Sequence, residues 1–589
     1  MRRWIRKAVV LAVTCAWLVP ATVVRAASDP PPLPLELLFD NVAVSEDARP
    51  DEADFDGFGA SLSARDLTAA GWTPGRELTV QGARLTWPGT RPGEPDNVRA
   101  AGQRVRLYGG SGDALAFLVA GTAGRETGGA GSVTYTDGSS SAFRLTAPDW
   151  RTGPPAEQAV GLPHVNTEDG RLDEKARLYV RTVPLLPGRS VASVRLPRAR
   201  DLHVFSLSVR DVSRGWSGSW AASTSGRTSV GPWTDRTLRL VVHTSAGGSR
   251  IRVRLENTFA DRPVRIGGAT VAVRASGAGA RGEPVRLSFR GRPEVVVPAG
   301  AQAYSDPLGF EVPADTDLLV SLHLPGTVRD APLHAEALQR SYLSEPGDHT
   351  GDRAPGAFGT EVTTWPLLTG VDVSGGPGSV VVLGNSITDG IRSTPDANRR
   401  WTDVLADRLR AQHTVPRYGV LNHGISGNRV LSDRYPGDGV SSDVAGVSAL
   451  HRFDRDVLAQ TSARTAVVFM GVNDLRWGWS PDEVIEGLRE LVERGRERGL
   501  RMLGTTLLPC EGESRCTAAV DAGRVAVNAW IRSSGVFDGV LDFDAVLRDP
   551  GHPSRMLPAY DSGDHLHPGD AGYAALAESV DLRELAGGP

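Results

Sequence analysis

The stretch VVVLGNSITDG, residues 380–390, decides the fold of the C-terminal part of the chain. Its β-branched and apolar residues, up to Gly384, are typical of a buried parallel strand. A polar cluster that contains Ser386 follows at once, and open α/β sheets bind their ligands beyond the carboxyl ends of the strands. Ser386 could therefore present its hydroxyl to a base. The alternative is a strand-to-helix turn with capping serine and threonine residues.

The sequence after this strand alternates between short apolar runs and longer amphipathic runs. These runs predict strands at 380–384, 419–422, 465–471, 501–507 and 540–543, and helices at 401–412, 444–460, 481–498, 517–534 and 570–580. Five such βα units with right-handed crossovers build a three-layer α/β domain around a five-stranded parallel sheet.

Three further polar clusters each come at the end of a predicted strand or beside a helix start. They are NHGISGNR at 422–429, GVND at 471–474 and DHLHPGDAGY at 564–573. Because parallel strands end at the same edge of a sheet, we expect these clusters to meet the serine loop there. A serine, a glycine-rich loop, an asparagine amide and an Asp/His pair would then converge.

This set of side chains is the one that acyl transfer requires. The hydroxyl of Ser386 needs a base, and His567 is the candidate, with Asp564 to hold its tautomer. The oxyanion needs fixed donors, which the amides of Ser386 and Gly427 and the side chain of Asn473 could supply. Each motif is weak by itself, whereas four in this order within a βα pattern favour a catalytic serine.

The four blocks GNSITDG, NHGISGNR, GVND and DHLHP resemble the SGNH (GDSL) hydrolases over roughly residues 380–580. The resemblance implies a flavodoxin-like domain and a serine ester hydrolase that needs no cofactor and no metal. By position, Ser386 is the nucleophile, with Asp564 and His567 as its triad partners. Gly427 and Asn473 are the oxyanion donors, together with the amide of the serine.

Five residues beside these motifs have open roles. Asn385 stands where the family usually has Asp, and it can keep the hydrogen bonds of the loop without the charge, so we expect activity to survive. His565 is a second histidine in the last block, but the family spacing selects His567. The others could line a pocket or simply pack: His423, Trp477 and Trp479.

The sequence before residue 374 has the pattern of antiparallel β structure. Alternating runs separated by Gly, Asp, Asn and Pro predict a β-sandwich accessory domain at 39–212 and a β-sandwich or jelly-roll domain at 213–373. A linker at 374–379 leads into the hydrolase domain at 380–585. The stretches FDNVAVSEDA and DFDGFGASLSARDL resemble a β-sandwich module appended to many bacterial glycoside hydrolases. WSGSWAAS begins a stretch that resembles an accessory sandwich found with this hydrolase branch.

The N-terminus has the pattern of a secretory signal peptide at 1–26, followed by a Pro-rich linker at 27–38. A membrane anchor is the alternative, but the apolar run is short and Pro20 interrupts it. In the oxidising compartment that secretion implies, Cys510 and Cys516 predict a small disulfide loop. A zinc site is disfavoured, because no second Cys or His pair lies nearby at ligand spacing.

Length and charge narrow the function further. A chain of 589 residues is expected to fold as several domains, and its net charge of −4 favours neither nucleic acid nor an anionic membrane surface. No stable membrane anchor is expected.

The sequence predicts a secreted serine esterase that hydrolyses acyl esters, most simply acetyl esters on carbohydrate. The alternatives are a lipase or lysophospholipase, and a non-catalytic carbohydrate-binding protein whose α/β domain has lost activity.

Overall fold

The computed structural model describes residues 31–211, 213 and 215–586, so the predicted signal peptide at 1–26 lies outside the described residues. Within these ranges, no helix is both long enough and apolar enough to cross a membrane. The described chain consists of a C-terminal α/β domain and, before it, a large region of antiparallel sheets.

Five parallel strands form the centre of the C-terminal domain. They are β1 (Ser379–Gly384), β2 (Gly419–Gly424), β3 (Ala463–Phe469), β4 (Arg501–Thr505) and β5 (Gly539–Leu541). Their order is β2-β1-β3-β4-β5, and every neighbouring pair is parallel. The winding direction reverses between β1 and β3, which is where such sheets bind ligands. The predicted flavodoxin-like architecture is confirmed.

Helices cover both faces of this sheet, because both faces are apolar. Val381 and Leu383 of β1 belong to one buried core, whereas Val380 and Val382 belong to the other. The helices are α1 (Ser386–Asp389), α2 (Trp401–Ala411), α3 (Ala449–Phe453), α4 (Val472–Arg476), α5 (Pro481–Glu497), α6 (Ala518–Ser533), α7 (Phe543–Leu547) and α8 (Asp570–Ser579), with a π-helical turn at Asp454–Leu458, a 3-10 turn at Leu582–Leu585 and a hairpin of Arg548–Asp549 and His552–Met556.

One predicted helix, at 444–460, begins later in the structure. Helix α3 starts at Ala449, after the cap Ser448, and the segment before it is not helical. The side-chain amide of Asn428 donates to the carbonyl oxygens of Ala445 and Val447, at 2.9 and 2.8 Å. These bonds hold the segment against the loop after β2, a tertiary contact that apolar periodicity does not reveal.

The described chain before β1 is almost entirely β structure. Residues up to Asp211 form one five-stranded and two four-stranded sheets. The strands are Val44–Ser45, Ala60–Ser63, Val98–Ala101, Arg104–Arg106, Gly112–Gly121, Thr127–Tyr135, Ser140–Ala147, Gln158–Leu162, Val165–Thr167, Gly170–Leu172, Ala176–Pro184, Val191–Arg195 and Arg198–Asp211, with one α-helix, Ala64–Ala69, and 3-10 turns at Leu35–Leu38, Pro50–Glu52 and Pro155–Glu157.

Two seven-stranded sheets lie in the region that follows. Their strands are Trp216–Ala221, Gly226–Thr244, Gly248–Glu256, Gly268–Ser276, Gly279–Arg286, Gln302–Tyr304, Leu308–Val312, Thr316–His334, Ser341–Pro346, Thr360–Val362, Trp365–Pro366 and Leu368–Ser374, and a separate pair is Val264–Ile266 with Val295–Val297. A hairpin of Glu77–Val80 and Ala83–Thr86 supplies the remaining two of these fourteen strands, with Thr79 paired to Gln302. The division at 212/213 stays a prediction, and this hairpin pairs across it.

Candidate active site

Ser386 begins helix α1 directly beyond β1, and its side chain keeps a small exposed fraction of 6%. The turn before it is tight, since a Cβ on Gly384 would lie 2.1 Å from Thr388 Oγ1, so only glycine fits. The side chain of Asn385 caps α1 by accepting a hydrogen bond from the amide of Ile387, at 3.0 Å. The turn therefore fixes the serine hydroxyl at the carboxyl edge of the sheet.

A chain of hydrogen bonds joins Ser386 to the last polar cluster. His567 Nε2 lies 2.8 Å from Ser386 Oγ, and His567 Nδ1 lies 2.9 Å from Asp564 Oδ2. With Nδ1–H donating to the carboxylate, Nε2 can accept the serine proton. The structure thus brings together the three residues that the sequence predicts as nucleophile, base and orienting acid.

The carboxyl group of Asp564 is held in its ionised form. Burial raises its pKa, but the hydrogen bonds from the side chain and the backbone of His567 outweigh burial, and the net pKa is well below its usual range. Its Oδ1 accepts the amides of Leu566 and His567 at 3.1 and 2.8 Å, and Arg392 Nε donates to Oδ2 at 3.0 Å. A carboxylate in this state can stabilise an imidazolium on His567.

Two of the predicted oxyanion donors follow the strands on either side of β1. Gly427 comes after β2 and has φ of +77°, a conformation that favours glycine. Asn473 comes after β3; its Nδ2 donates to the carbonyl of Asn428 at 2.9 Å, and its Oδ1 accepts from Arg476 Nη1 at 2.9 Å. These contacts orient the amide plane of Asn473 and, within the described chain, leave its second hydrogen for a ligand.

The buried side chain of Arg452 connects the ends of β1 and β2 behind the site. Its Nη2 donates to the carbonyl of Gly384 at 2.9 Å, and its Nη1 donates to that of His423 at 2.8 Å. Its Nε donates to Asn428 Oδ1 at 3.0 Å, and Asp456 balances its charge at 3.1 Å. The guanidinium therefore fixes the spacing of the two loops that carry the serine and the glycine.

A second buried pair connects the site to the preceding β region. His334 Nε2 lies 2.9 Å from Asp389 Oδ1, and Asp389 Oδ2 accepts the amide of Ser426 at 2.8 Å, beside Gly427. Burial lowers the pKa of His334, but the Asp389 charge and hydrogen bond outweigh burial and raise it. The pair holds the glycine loop in position.

A third buried carboxylate, Asp474, supports the same loop. It accepts the amides of Val430 and Leu431 at distances from 2.9 to 3.0 Å, and burial raises its pKa to about 6. Sequence reasoning missed these supporting residues. Asp389 and Asp474 lie inside GNSITDG and GVND, so their place in the motifs was an available signal. No comparable signal marks Arg452 or His334.

The residues with open roles differ in their surroundings. Asn385 uses Oδ1 as a cap, whereas its buried Nδ2 has no hydrogen-bond partner in the described chain. His423 is buried, its Nδ1 lies 2.8 Å from Ser223 Oγ, and burial lowers its pKa to about 3, so it is neutral. His565 lies beside Asp561, with Nδ1 to Oδ2 at 2.6 Å, and does not join the Ser386 chain.

The two tryptophans after GVND separate in the structure. Trp477 is 36% exposed near the site, whereas Trp479 is partly buried against the helical core.

Cys510 and Cys516 are joined as a disulfide that closes the loop beside α6.

Comparison with known proteins identifies this domain. Residues 382–575 match the model of the GDSL-like Lipase/Acylhydrolase family. One similar solved structure is an acetylxylan esterase of Geobacillus stearothermophilus, with 22% identity, coverage of 35% of this chain and 93% of that chain, and a TM-score of 0.27. A GDSL-like lipase of Bacteroides thetaiotaomicron has 18% identity, coverage of 35% of this chain and 87% of that chain, and a TM-score of 0.26. An alpha/beta hydrolase from the metagenome of Lake Arreo has 21% identity, coverage of 35% of this chain and 94% of that chain, and a TM-score of 0.27. No curated protein matches the chain.

Proposed function

Residues 382–575 form a domain of the GDSL-like lipase/acylhydrolase family, and from this premise we propose that Ser386 is the nucleophile of a secreted serine esterase. The observation that carries the proposal is the continuous hydrogen-bond chain from Ser386 through His567 to Asp564. A serine with a base in contact and a carboxylate behind that base is the arrangement that nucleophilic acyl transfer needs.

Acylation begins with attack of Ser386 Oγ on the carbonyl carbon of the ester, while the hydroxyl proton moves to His567 Nε2. The imidazolium that forms is stabilised by the Asp564 carboxylate. The oxyanion accepts hydrogen bonds from the amides of Ser386 and Gly427 and from the side chain of Asn473, each worth about 3–4 kcal/mol in comparable enzymes. Collapse of this intermediate expels the alcohol, which takes the proton from His567.

Deacylation repeats the sequence with water as the nucleophile. His567 Nε2 accepts a proton from water as its oxygen attacks the acyl carbon, and the same donors bind the second oxyanion. The intermediate then releases the carboxylic acid, and His567 returns the proton to Ser386 Oγ. Because Asp564 has a strongly lowered pKa, it stays ionised throughout both steps.

The substrate that we propose is an acyl ester on carbohydrate, with acetyl as the preferred acyl group. The β-rich region before residue 374 supports a polysaccharide target, since sandwich domains of this kind suit a surface-binding role. A lipase or lysophospholipase would need an apolar acyl groove. A non-catalytic carbohydrate-binding protein is supported only by Asn385, whose side chain still caps α1.

The acyl preference is tested with p-nitrophenyl esters from acetate to palmitate. We expect kcat/KM to be highest for acetate and to fall as the chain lengthens. A maximum at long chains would instead support the lipase. Retained binding to insoluble polysaccharide without turnover of any ester would support the binding protein.

A further inference from the structure

Four arginines surround the exposed ring of Trp477. The guanidinium carbons of Arg515, Arg429, Arg476 and Arg434 lie 4.5, 4.7, 5.1 and 5.5 Å from the ring centroid. Distances below about 6 Å are those of cation–π contacts. We call this group of five residues the Trp477 platform. Its arginines come from two loops and from helix α4, so the fold assembles the platform and the sequence gives no sign of it.

The platform borders the proposed oxyanion donors. A Cβ on Gly427 would lie 3.8 Å from Arg434 Nη1, and Arg476 Nη1 donates to Asn473 Oδ1 at 2.9 Å. Trp477 itself ends the helix that begins beside Asn473. The platform therefore lies next to the position that the carbonyl oxygen of an ester would take between the oxyanion donors.

Two of the four arginines form direct ion pairs with carboxylates of the protein. Arg434 pairs with Asp443, and Arg476 pairs with Glu513, each at 2.8 Å. In the described residues the guanidinium of Arg515 forms no ion pair or hydrogen bond, and that of Arg429 donates to Ser432 Oγ at 3.1 Å.

The side chain of Arg429 is partly buried. Its Nε is buried without a hydrogen-bond partner in the described chain. Burial and then the neighbouring Arg434 guanidinium lower its pKa. The charges of the nearby Asp474 and Asp443 carboxylates act in the opposite direction, and Asp474 also accepts two backbone amides. Crowded guanidinium groups with free donors favour an anion that can accept from more than one of them.

We propose that the Trp477 platform binds a carboxylate carried by the substrate next to its ester group. Guanidinium groups match a carboxylate in shape, and the tryptophan offers a flat face beside them, which suits the ring of an acidic sugar. The inference rests on the proposed esterase function and narrows its substrate to anionic esters. The disulfide loop supports it, because Glu513 of that loop pairs with Arg476 and places Arg515 over the ring.

Matched ester pairs test this proposal. On the alcohol side, an acetylated methyl glucuronoside is compared with the acetylated methyl glucoside; on the acyl side, the p-nitrophenyl monoester of succinic acid is compared with p-nitrophenyl butyrate. We expect kcat/KM for the carboxylate member of at least one pair to be about tenfold higher, since hydrogen bonds to charged groups are strong. The preference should shrink between about 10 mM and 1 M salt, because screening weakens partly exposed charges.

A charge-neutral variant then assigns the effect to the platform. Arg515→Gln should lower the ratio of the two kcat/KM values by about tenfold, and the neutral ester measured on the same preparation reports any general loss. The matched control is Arg583→Gln. Arg583 is exposed and forms an ion pair with Asp581, which lies beside the 3-10 turn. Leu585 of that turn contacts Thr465 in β3. It should keep the wild-type ratio.

Equal kcat/KM values within both pairs would overturn the inference while the esterase proposal stood. Retention of the wild-type ratio by Arg515→Gln would overturn it as well. If wild type hydrolysed neither neutral nor charged esters faster than Ser386→Ala does, the proposed function would fail, and the inference would fail with it.

Discussion

Replacement of Ser386 by alanine should reduce kcat/KM for p-nitrophenyl acetate by at least about 10⁴-fold, as loss of a triad nucleophile does in well-studied proteases. The hydroxyl is the atom within 2.8 Å of His567 Nε2, and in the described part of the chain no other hydroxyl contacts that nitrogen. Without it, only the oxyanion donors and substrate binding remain. The measurement is steady-state hydrolysis by purified wild-type and variant protein at the same concentration.

The two histidines of the last block provide a matched control for this result. His567→Asn should share most of the loss, because it removes the base. His565→Asn should stay within about tenfold of wild type, because His565 contacts Asp561 and asparagine tolerates its positive φ of 62°. Equal losses in the two variants would contradict the assignment of the base.

Replacement of Arg452 by methionine should lower the free energy of unfolding by about 3–5 kcal/mol. The guanidinium is completely buried, and its removal leaves the carbonyls of Gly384 and His423 without their donor. It also leaves Asp456 with Arg455 as its one ion-pair partner among the described residues. Denaturation in urea, followed by tryptophan fluorescence, measures the change.

The control for the Arg452 experiment is Arg583→Met, which removes an exposed ion pair with Asp581. A fully exposed pair of this kind contributes little to stability. A loss of stability in Arg452→Met no larger than in Arg583→Met would contradict the role given to the buried guanidinium.

Much of the fold of the C-terminal domain could be predicted from the sequence. The apolar run of 380–384 and the alternation of short apolar and longer amphipathic runs after it predict a buried parallel sheet, and the structure confirms that sheet. The same reasoning places Ser386 and Asn473 at one sheet edge. The hydrogen bonds between Ser386, His567 and Asp564 have the geometry that the proposed catalytic roles of these three residues require.

The supporting contacts could not be predicted, because they depend on tertiary packing between distant segments. His334 reaches Asp389 from another sheet, and the pairing of Thr79 with Gln302 crosses the predicted boundary at 212/213. Neither contact produces a repeat of apolar and polar residues in the segments that form it. The Trp477 platform is also a tertiary contact between distant segments, because the sequence around an arginine does not show which aromatic ring that arginine will contact.

The most direct test of the account is covalent labelling with a p-nitrophenyl alkylphosphonate, which forms a stable adduct with an activated serine. Intact-mass measurement and peptide mapping should find one phosphonyl group per chain, on Ser386, with loss of esterase activity in proportion to labelling. Ser386→Ala should take up no label. Modification at another residue, or full esterase activity in a protein labelled on Ser386, would contradict the claim that hydrolysis proceeds through an acyl-enzyme on this serine.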